Sequence, residues 1–428
     1  MNQNYLHSDF HEPNLDHPDS AIRLASVVHR FRVPRLMCGV SFTKAFTTTG
    51  RSNERTRKLM ISADDTRKRL AEVTTATSVS AERVISDSTR YQPLIHSILL
   101  SCKVQPEQAR LDERLMFEWK SGIEEKPDSF RSEAMMYDLV MASVCEGLGY
   151  ALGATEKSIS GDFAAASRDY ASAAGIFDFL AQEHLPKWIA KGSNVDETKL
   201  PAECHPPMAK ALTVLFMANG QQMAIATALM KEGTPNYGLV AKLCLGVSEQ
   251  LEEFVGIVRR EASLQMSRLD PNFLTLVTLQ INVHKSLTLY FQSRSSWEQE
   301  DYGIAIALLS EATVALRQRE HAAAHGIPDV KTIPALAPLA NDLKDLRSHM
   351  ALLLRSWEKD NSSVYFTGVP QQVPAEKKPK EGIQMKRKTD YKLQEAEPHL
   401  LSLSNHAMKR SDSDLARELQ KQLDTGMD

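Results

Sequence analysis

The chain has little of what an enzyme, a disulfide-stapled domain or a nucleic-acid binder needs. Cysteine is scarce, five in 428 residues: Cys38, Cys102, Cys145, Cys204 and Cys244 are odd in number, widely spread and form no C-x-x-C pair. Such usage supports neither a disulfide framework nor a structural zinc site, and it fits a reducing compartment. Neither charge sign dominates: 51 Lys+Arg stand against 54 Asp+Glu, a net of -3, so no global field calls for nucleic acid as the main partner. No run approaches the ~20 uninterrupted apolar residues of a membrane span. The start, MNQNYLHSDFHEPNLDHPDS, lacks the basic-then-apolar layout of a signal peptide. Residue 2 is Asn rather than Gly and the last four residues are TGMD, so no myristoylation or prenylation signal is present. The expectation is a soluble, cytoplasmic protein whose membrane association goes through partners or surface charge.

Catalytic signatures are missing as well. There is no G-x-x-x-x-G-K followed by Ser or Thr, no H-E-x-x-H, no G-x-S-x-G, and no H-x-E with P-C-x-x-C. Gly147, Gly149 and Gly153 in EGLGYALG close an apolar helical run rather than follow a strand, which favours helix packing over a phosphate loop. Cys204 beside His205 is adjacency without geometry, and the two prolines that follow start a helix. The pairs Glu124-Glu125 and Glu252-Glu253 read as solvated faces. These readings give no catalytic residue, no cofactor, no metal, no small-molecule substrate and no nucleic acid.

What is present is helical periodicity over a hydrophobic content of 42%, enough for a large core. The first twenty residues, with His7, His11 and His17 among Asp, Asn and Pro, read as a disordered tail of residues 1–20. Between Ala21 and Thr49, FRVPRLMCGVSF suits a short strand or two, an N-terminal β-hairpin. Arg51 to Ser88 suits two amphipathic helices, and Tyr91 to Glu358 is helical almost throughout. In Gly161 to Leu185, Phe163, Ala166, Tyr170, Ala173, Phe177 and Leu180 line one face. Leu336 to Trp357 repeats the alternation, and 206–231, 236–266, 270–295 and 300–322 lie between Pro, Gly and Asn/Asp punctuation.

The spacing Asp162-Phe163-x-x-Ala166-x-x-x-Tyr170-x-x-Ala173 returns as Asp301-Tyr302-x-x-Ala305-x-x-x-Leu309-x-x-Ala312. Small residues that admit a neighbouring helix, alternating with large ones that fill the gap, are the packing of tetratricopeptide-type pairs. The expected fold is therefore mainly all-α, a helical array with a tetratricopeptide-like core.

After Asn361 the chain turns rich in Pro, Lys and Gln, which suits an extended arm or linker. Its cluster Lys377, Lys378, Lys380, Lys386, Arg387 and Lys388 reads as a solvated linker ahead of an anionic-lipid contact. Residues 391–428 read as a flexible tail, in which Leu415, Leu419 and Leu423 either form a short helix on binding or fray. Ser411 and Ser413 in KRSDSD are candidate phosphate acceptors.

Three separated stretches resemble the Bro-one domain family, Alix- and Brox-like adaptors associated with the endosomal ESCRT machinery. Phe117-Glu118-Trp119-Lys120 resembles the family's F-x-W-K element, and Tyr170-x-x-Ala173-x-x-x-Phe177 its Y-x-x-A-x-x-x-F helix. Lys359-Asp360-Asn361 with Val364-Tyr365 and Val369-Pro370 resembles its K-D-N-x-x-(I/V)-Y-x-x-x-V-P exit from the last helix. The similarity spans about Tyr91 to Tyr391, and the chain further looks like the plant-type single-domain members. It implies a curved, banana-shaped domain over residues 21–390 that acts as a non-catalytic adaptor, recruited from the cytoplasm to endosomes with peripheral membrane contact, in multivesicular body sorting.

The partner implied is the C-terminal amphipathic helix of a Snf-seven class ESCRT-III subunit; a generic helical peptide-binding scaffold with another partner is the alternative. By the resemblance, Q-Q-M-A-I-A aligns with the family's A-Q-A-Q-E helix and Leu239-Val-Ala-Lys242-Leu243 with its I-(I/V)-A-K-L element. That makes Leu239 and Leu243 apolar contacts, with Arg168 the basic one. Where the family carries a contact phenylalanine, this chain has Ala224 with Ile225 beside it, so weaker or altered binding is expected. Read without the family, Leu239 and Leu243 are an i, i+4 apolar pair, commonly a core feature.

Overall fold

The computed structural model describes residues 17–37, 39–47, 53–109, 111–190, 199–316, 333–334, 336–384 and 387–401. In chain order the elements are α1 (Asp19–Ala25), β1 (Arg35–Leu36), α2 (Phe42–Ala45), α3 (Glu54–Thr75), α4 (Ala81–Val104), β2 (Phe117–Lys120), β3 (Ser129–Ser132) and α5 (Met135–Ile159). Then follow α6 (Phe163–Phe179), α7 (Leu185–Ala190), α8 (Pro206–Leu229), α9 (Tyr237–Glu261), α10 (Ser263–Met266), α11 (Pro271–Glu298), α12 (Tyr302–Ala315) and α13 (Leu339–Asp360).

Polar side chains fix where these helices begin. Asn53, Ser80, Asp162, Asn236 and Asp270 each accept a first-turn backbone N–H, satisfying donors that the helix cannot. Proline opens α8 and α11, where its missing N–H costs nothing.

Each long helix packs on the one before and the one after, from α4 through α5, α6, α8, α9, α11 and α12 to α13. This is the expected helical array with its tetratricopeptide-like core. α6 and α8 run antiparallel: the Ser167 hydroxyl donates to the Gly220 carbonyl at 2.6 Å, and Phe177 meets Phe216 at 5.5 Å. Both copies of the echoed spacing put their small and large members in the core, since Ala166, Tyr170, Ala173, Ala305, Leu309 and Ala312 are all buried. Burying each such aromatic or Leu side chain stabilises by about 1.5–3 kcal/mol. The mid-helix glycines of α5 are packing positions as expected: a methyl on Gly147 would press into the Phe177 ring, and one on Gly149 into Val84 and Ile85. By length and composition α8 could cross a membrane, yet 72% of that window is buried inside the array.

The expected short strand is present as β1, but the expected hairpin is not. Among the described residues the N-terminal segment forms no hairpin of its own; β1 is two residues long and pairs antiparallel with β2, which pairs with β3. Residues 42–45 are helical instead. The sheet's central strand is the F-x-W-K element. Phe117 and Trp119 alternate onto its inner face and are fully buried, and Trp119 Nε1 donates to Asp138 Oδ1 at 2.7 Å. Asp138 also receives the Arg67 guanidinium at 3.1 and 3.2 Å and the Tyr91 hydroxyl. This buried ion pair is hydrogen-bonded on both oxygens, the condition under which a buried charge is tolerated.

The ends differ from expectation too. Residues 17–20, read as tail, are docked: a His17 ring nitrogen lies 3.0 Å from the Leu229 carbonyl, and α1 starts at Asp19. His7 and His11 lie outside the described residues. At the other end, the Lys-rich segment is extended but not a solvated linker, and residues 391–401 are not a free tail. Lys377 pairs with Asp301, Lys378 with Glu311 and Lys388 with Asp178, while Leu401 is buried. The arm finds polar partners on successive helices, which its composition could not disclose. Lys386, Ser411, Ser413 and the Leu415–Leu419–Leu423 segment lie outside the described residues.

Candidate functional site

The residues singled out as partner contacts sit on three consecutive helices. Arg168 is exposed on α6, in line with Ala171 and Gly175 one and two turns on. On α9, Leu239, Lys242, Gly246 and Glu249 form the corresponding stripe. Antiparallel α8 lies between them, with Gln221 level with Leu243 and Ala224 one turn nearer the Leu239 end. Leu239 is 39% exposed. Its N–H is held by the Asn236 side chain at 3.0 Å, which fixes it in the first turn of α9. Ala224 is half-buried and forms a shallow floor.

The other two are core residues: Leu243 is 2% exposed and Ile225 fully buried. The i, i+4 pair is therefore divided, Leu239 at the surface and Leu243 against α8. The Gln221 side chain ties the helices there, donating to the Leu243 carbonyl at 2.8 Å.

The arm after α13 crosses this face. Asn361 shapes its exit: the side-chain oxygen accepts from Thr367 N at 3.0 Å, its Nδ2 donates to the Thr367 carbonyl at 2.9 Å, and Phe366 is held at φ 53°. The arm then runs back across α12, α9, α8, α6, α5 and α4. Ile383 N donates to the Lys242 carbonyl at 3.0 Å, and the Ile383 carbonyl receives Gln221 Nε2 at 2.8 Å. Thr389 N donates to the Ala171 carbonyl at 3.0 Å.

Glycine makes these crossings possible. A methyl at Gly246 would stand 2.6 Å from the Ile383 carbonyl oxygen, and one at Gly175 would overlap that of Thr389. Beyond α6, the Tyr391 hydroxyl reaches Gln92 Oε1 at 2.7 Å and Glu146 Oε2 at 3.0 Å. Burial pushes the Glu146 carboxyl above its usual range, and burial beside Glu146 raises the Tyr391 phenol. Lys242 is exposed on the same stripe, and Ile383, which no sequence motif singled out, is 36% exposed. The available signal was glycine at 175, 246 and 382, where backbones meet.

Groups with catalytic potential are used structurally. Burial pushes the Cys204 thiol well above its usual range, which disfavours its thiolate form. Glu124, read as a solvated face, is buried instead, paired with Arg268 at 2.6 Å and accepting from Ala202 N at 2.8 Å. The neighbouring Glu203, raised by burial to about 7, accepts from the Ser121 hydroxyl and from Gly122 N. Among the described residues no group of three His, Cys, Asp or Glu could hold a metal ion.

No curated protein matches the chain. Solved structures do. The chain resembles ALIX BRO1 in its complex with CHMP4C at a TM-score of 0.65 and 14% identity, covering 87% of this chain and 98% of that one. ALIX bound to the SIVmac239 PYKEVTEDL late domain gives 0.66 and 14%, covering 87% of this chain and 50% of that one. A Bro1 domain solved as the basis for endosomal targeting gives 0.65 and 14%, covering 85% and 92%. At such identity the likeness establishes the fold, the banana-shaped helical array. A family model described as the BRO1-like domain matches residues 50–413, and the chain belongs to that family.

Proposed function

We propose that the chain is a non-catalytic adaptor of endosomal sorting that takes the C-terminal amphipathic helix of an ESCRT-III subunit on its α6–α8–α9 face. The observation that carries this reading is Leu239, exposed on α9 across a half-buried Ala224 floor from exposed Arg168 on α6. An apolar ridge and a basic group across a shallow groove suit a helix that lays its i, i+3, i+4, i+7 stripe into it. The ALIX BRO1 structure with CHMP4C supports the choice of partner class, and the Bro1 domain described for endosomal targeting supports recruitment to endosomes; a place in multivesicular body sorting is part of the same proposal.

The contact set is Leu239, Arg168 and the Ala224 floor; Leu243 and Ile225 hold the helices beneath it. Titration of the full chain with the C-terminal helix of CHMP4C tests the reading. Saturable binding that is lost in Leu239→Asp, with the circular dichroism spectrum unchanged, is the expected result. Leu243→Asp would not discriminate, because a buried carboxylate there disrupts the core. A second reading, a helical scaffold for a different peptide, draws on the burial of Leu243 and Ile225 and on alanine at 224. Absence of binding to the CHMP4C helix would favour it.

A further inference from the structure

Past Tyr391 the arm turns along α4 and reaches the place where the end of that helix lies beside the start of α3. The Ser97 hydroxyl donates to the Glu397 carbonyl, and the Ser101 hydroxyl accepts from His399 N at 2.7 Å. Gln105, just past the end of α4, uses both ends of its amide: Nε2 donates to the His399 carbonyl at 2.7 Å and Oε1 accepts from Leu401 N at 3.1 Å. From the α3 side the Thr56 hydroxyl donates to the Leu400 carbonyl. Thr56, Ser97, Ser101 and Gln105 are all buried.

Ser97, Ser101 and Gln105 stand four residues apart on one face of α4, a rise of about 6 Å per step. Two residues of an extended chain advance by about 6–7 Å, so each step of the helix meets every second residue of the arm, 397, 399 and 401. Pro398 keeps Glu397 out of the helical region and fixes its own φ, which suits the segment to this track before it is bound. Each of these bonds lands on a main-chain atom of the arm, and the side chains of Glu397 and Pro398 are exposed. Of residues 397–401 only Leu401 is buried, at 1% exposure.

A track that holds the main chain and one aliphatic side chain accepts any segment of that form. We propose that the α3–α4 track is a second peptide-binding site, which residues 397–401 occupy in cis. Its partner is an extended segment with an aliphatic residue at the place of Leu401 and free N–H groups there and two residues before. The site lies apart from the α6–α8–α9 face and shares no residue with it. Among the described residues no helix or strand follows Leu401, so release of residues 392–401 undoes these bonds and the Leu401 insertion without removing an element of the array. The cis segment, tethered through Tyr391, competes at an effective concentration on the order of millimolar.

The test is fluorescence anisotropy of a labelled peptide copying residues 390–401, titrated with the full chain. The proteins are wild type, two release variants, Leu401→Asp and His399→Pro, and each release variant combined with Gln105→Ala. His399→Pro removes the N–H that Ser101 accepts and puts no charge in the core. Hydrogen exchange over residues 392–401 reports release, and circular dichroism reports the fold. The expected result is faster exchange over 392–401 with an unchanged spectrum, and peptide binding at least about tenfold tighter in the release variants than in wild type. Adding Gln105→Ala should weaken that binding about tenfold, through the two bonds it removes. Folded, released variants that do not take the peptide overturn the proposal, and so does wild type binding it as tightly as they do. Unchanged exchange over 392–401, or loss of the fold in both release variants, also overturns it, because the segment is then a fixed part of the core. The CHMP4C helix titration stands or falls independently of all these outcomes.

Discussion

Replacing Gly175 by alanine should unseat the arm without unfolding the array. The added methyl would overlap the Thr389 carbonyl oxygen, a backbone atom that cannot rotate away, so the arm has to lift. Lifting breaks the bond from Thr389 N to the Ala171 carbonyl and draws the Tyr391 hydroxyl away from Gln92 and Glu146. At a net of about 1 kcal/mol for each hydrogen bond, the arm's opening free energy falls by roughly 2–3 kcal/mol. Local opening of that size speeds exchange and cleavage in proportion to the open population, roughly 30- to 150-fold.

The helix itself responds in the opposite direction. Alanine is better than glycine in a helix interior by about 1 kcal/mol, and that gain is present whether or not the arm is seated. The signature is therefore a looser arm on an equally or more stable array. Hydrogen exchange over residues 387–401 and tryptic cleavage after Arg387, Lys388 and Lys392 report the first, and the thermal midpoint reports the second. Gly256→Ala is the control, since a methyl there meets only the Arg260 side chain, at 3.5 Å; it should stabilise without loosening the arm. Equal arm protection in Gly175→Ala and wild type would refute the reasoning.

Two further outcomes concern the core. Asp138→Ala leaves the buried Arg67 guanidinium without its counter-charge and takes an acceptor from Tyr91 and Trp119, so urea denaturation should show a loss of about 3–5 kcal/mol; a loss under about 1 kcal/mol would contradict the network. Glu203, raised from 4.5 to about 7 by burial, favours its neutral form in the folded chain. Its stabilising contribution is full below pH 4.5 and disappears as pH rises through about 7, a swing on the order of 3 kcal/mol. Glu203→Gln stays neutral, so it should match wild type near pH 4.5 and exceed it above pH 7.5 in chemical denaturation. Identical pH slopes would count against this assignment.

The helices were legible because their signals are local. Periodicity places Tyr170, Ala173 and Phe177 on one face wherever the chain goes, and Asn236 or Asp270 marks a first turn by its own chemistry. The sheet was not legible: β1 is two residues long, and its partner lies more than eighty residues away at Trp119 and Lys120, too short a stretch for alternation to register. The arm escaped for a different reason. Its main holds are backbone to backbone, as at Ile383 with Lys242 and Thr389 with Ala171, and such pairing leaves no side-chain pattern in a Pro- and Lys-rich segment. Within the candidate site, spacing could put Leu239 and Leu243 on one side of α9. It could not say that α8 and the arm cover the second residue and stop short of the first.

The three stretches that carry the family resemblance turn out to work inside the fold. Trp119 closes the Asp138 network, Tyr170 stacks on Phe216 and meets Thr155 Oγ1 at 3.0 Å, and Asn361 pins the turn that launches the arm. They determine that a chain becomes this array, and they place Arg168, Ala224 and Leu239 on one face by fixing the helices beneath. They do not determine what that face binds, because none of the three motifs reaches it. A change such as alanine at 224 can therefore alter the groove without disturbing the fold.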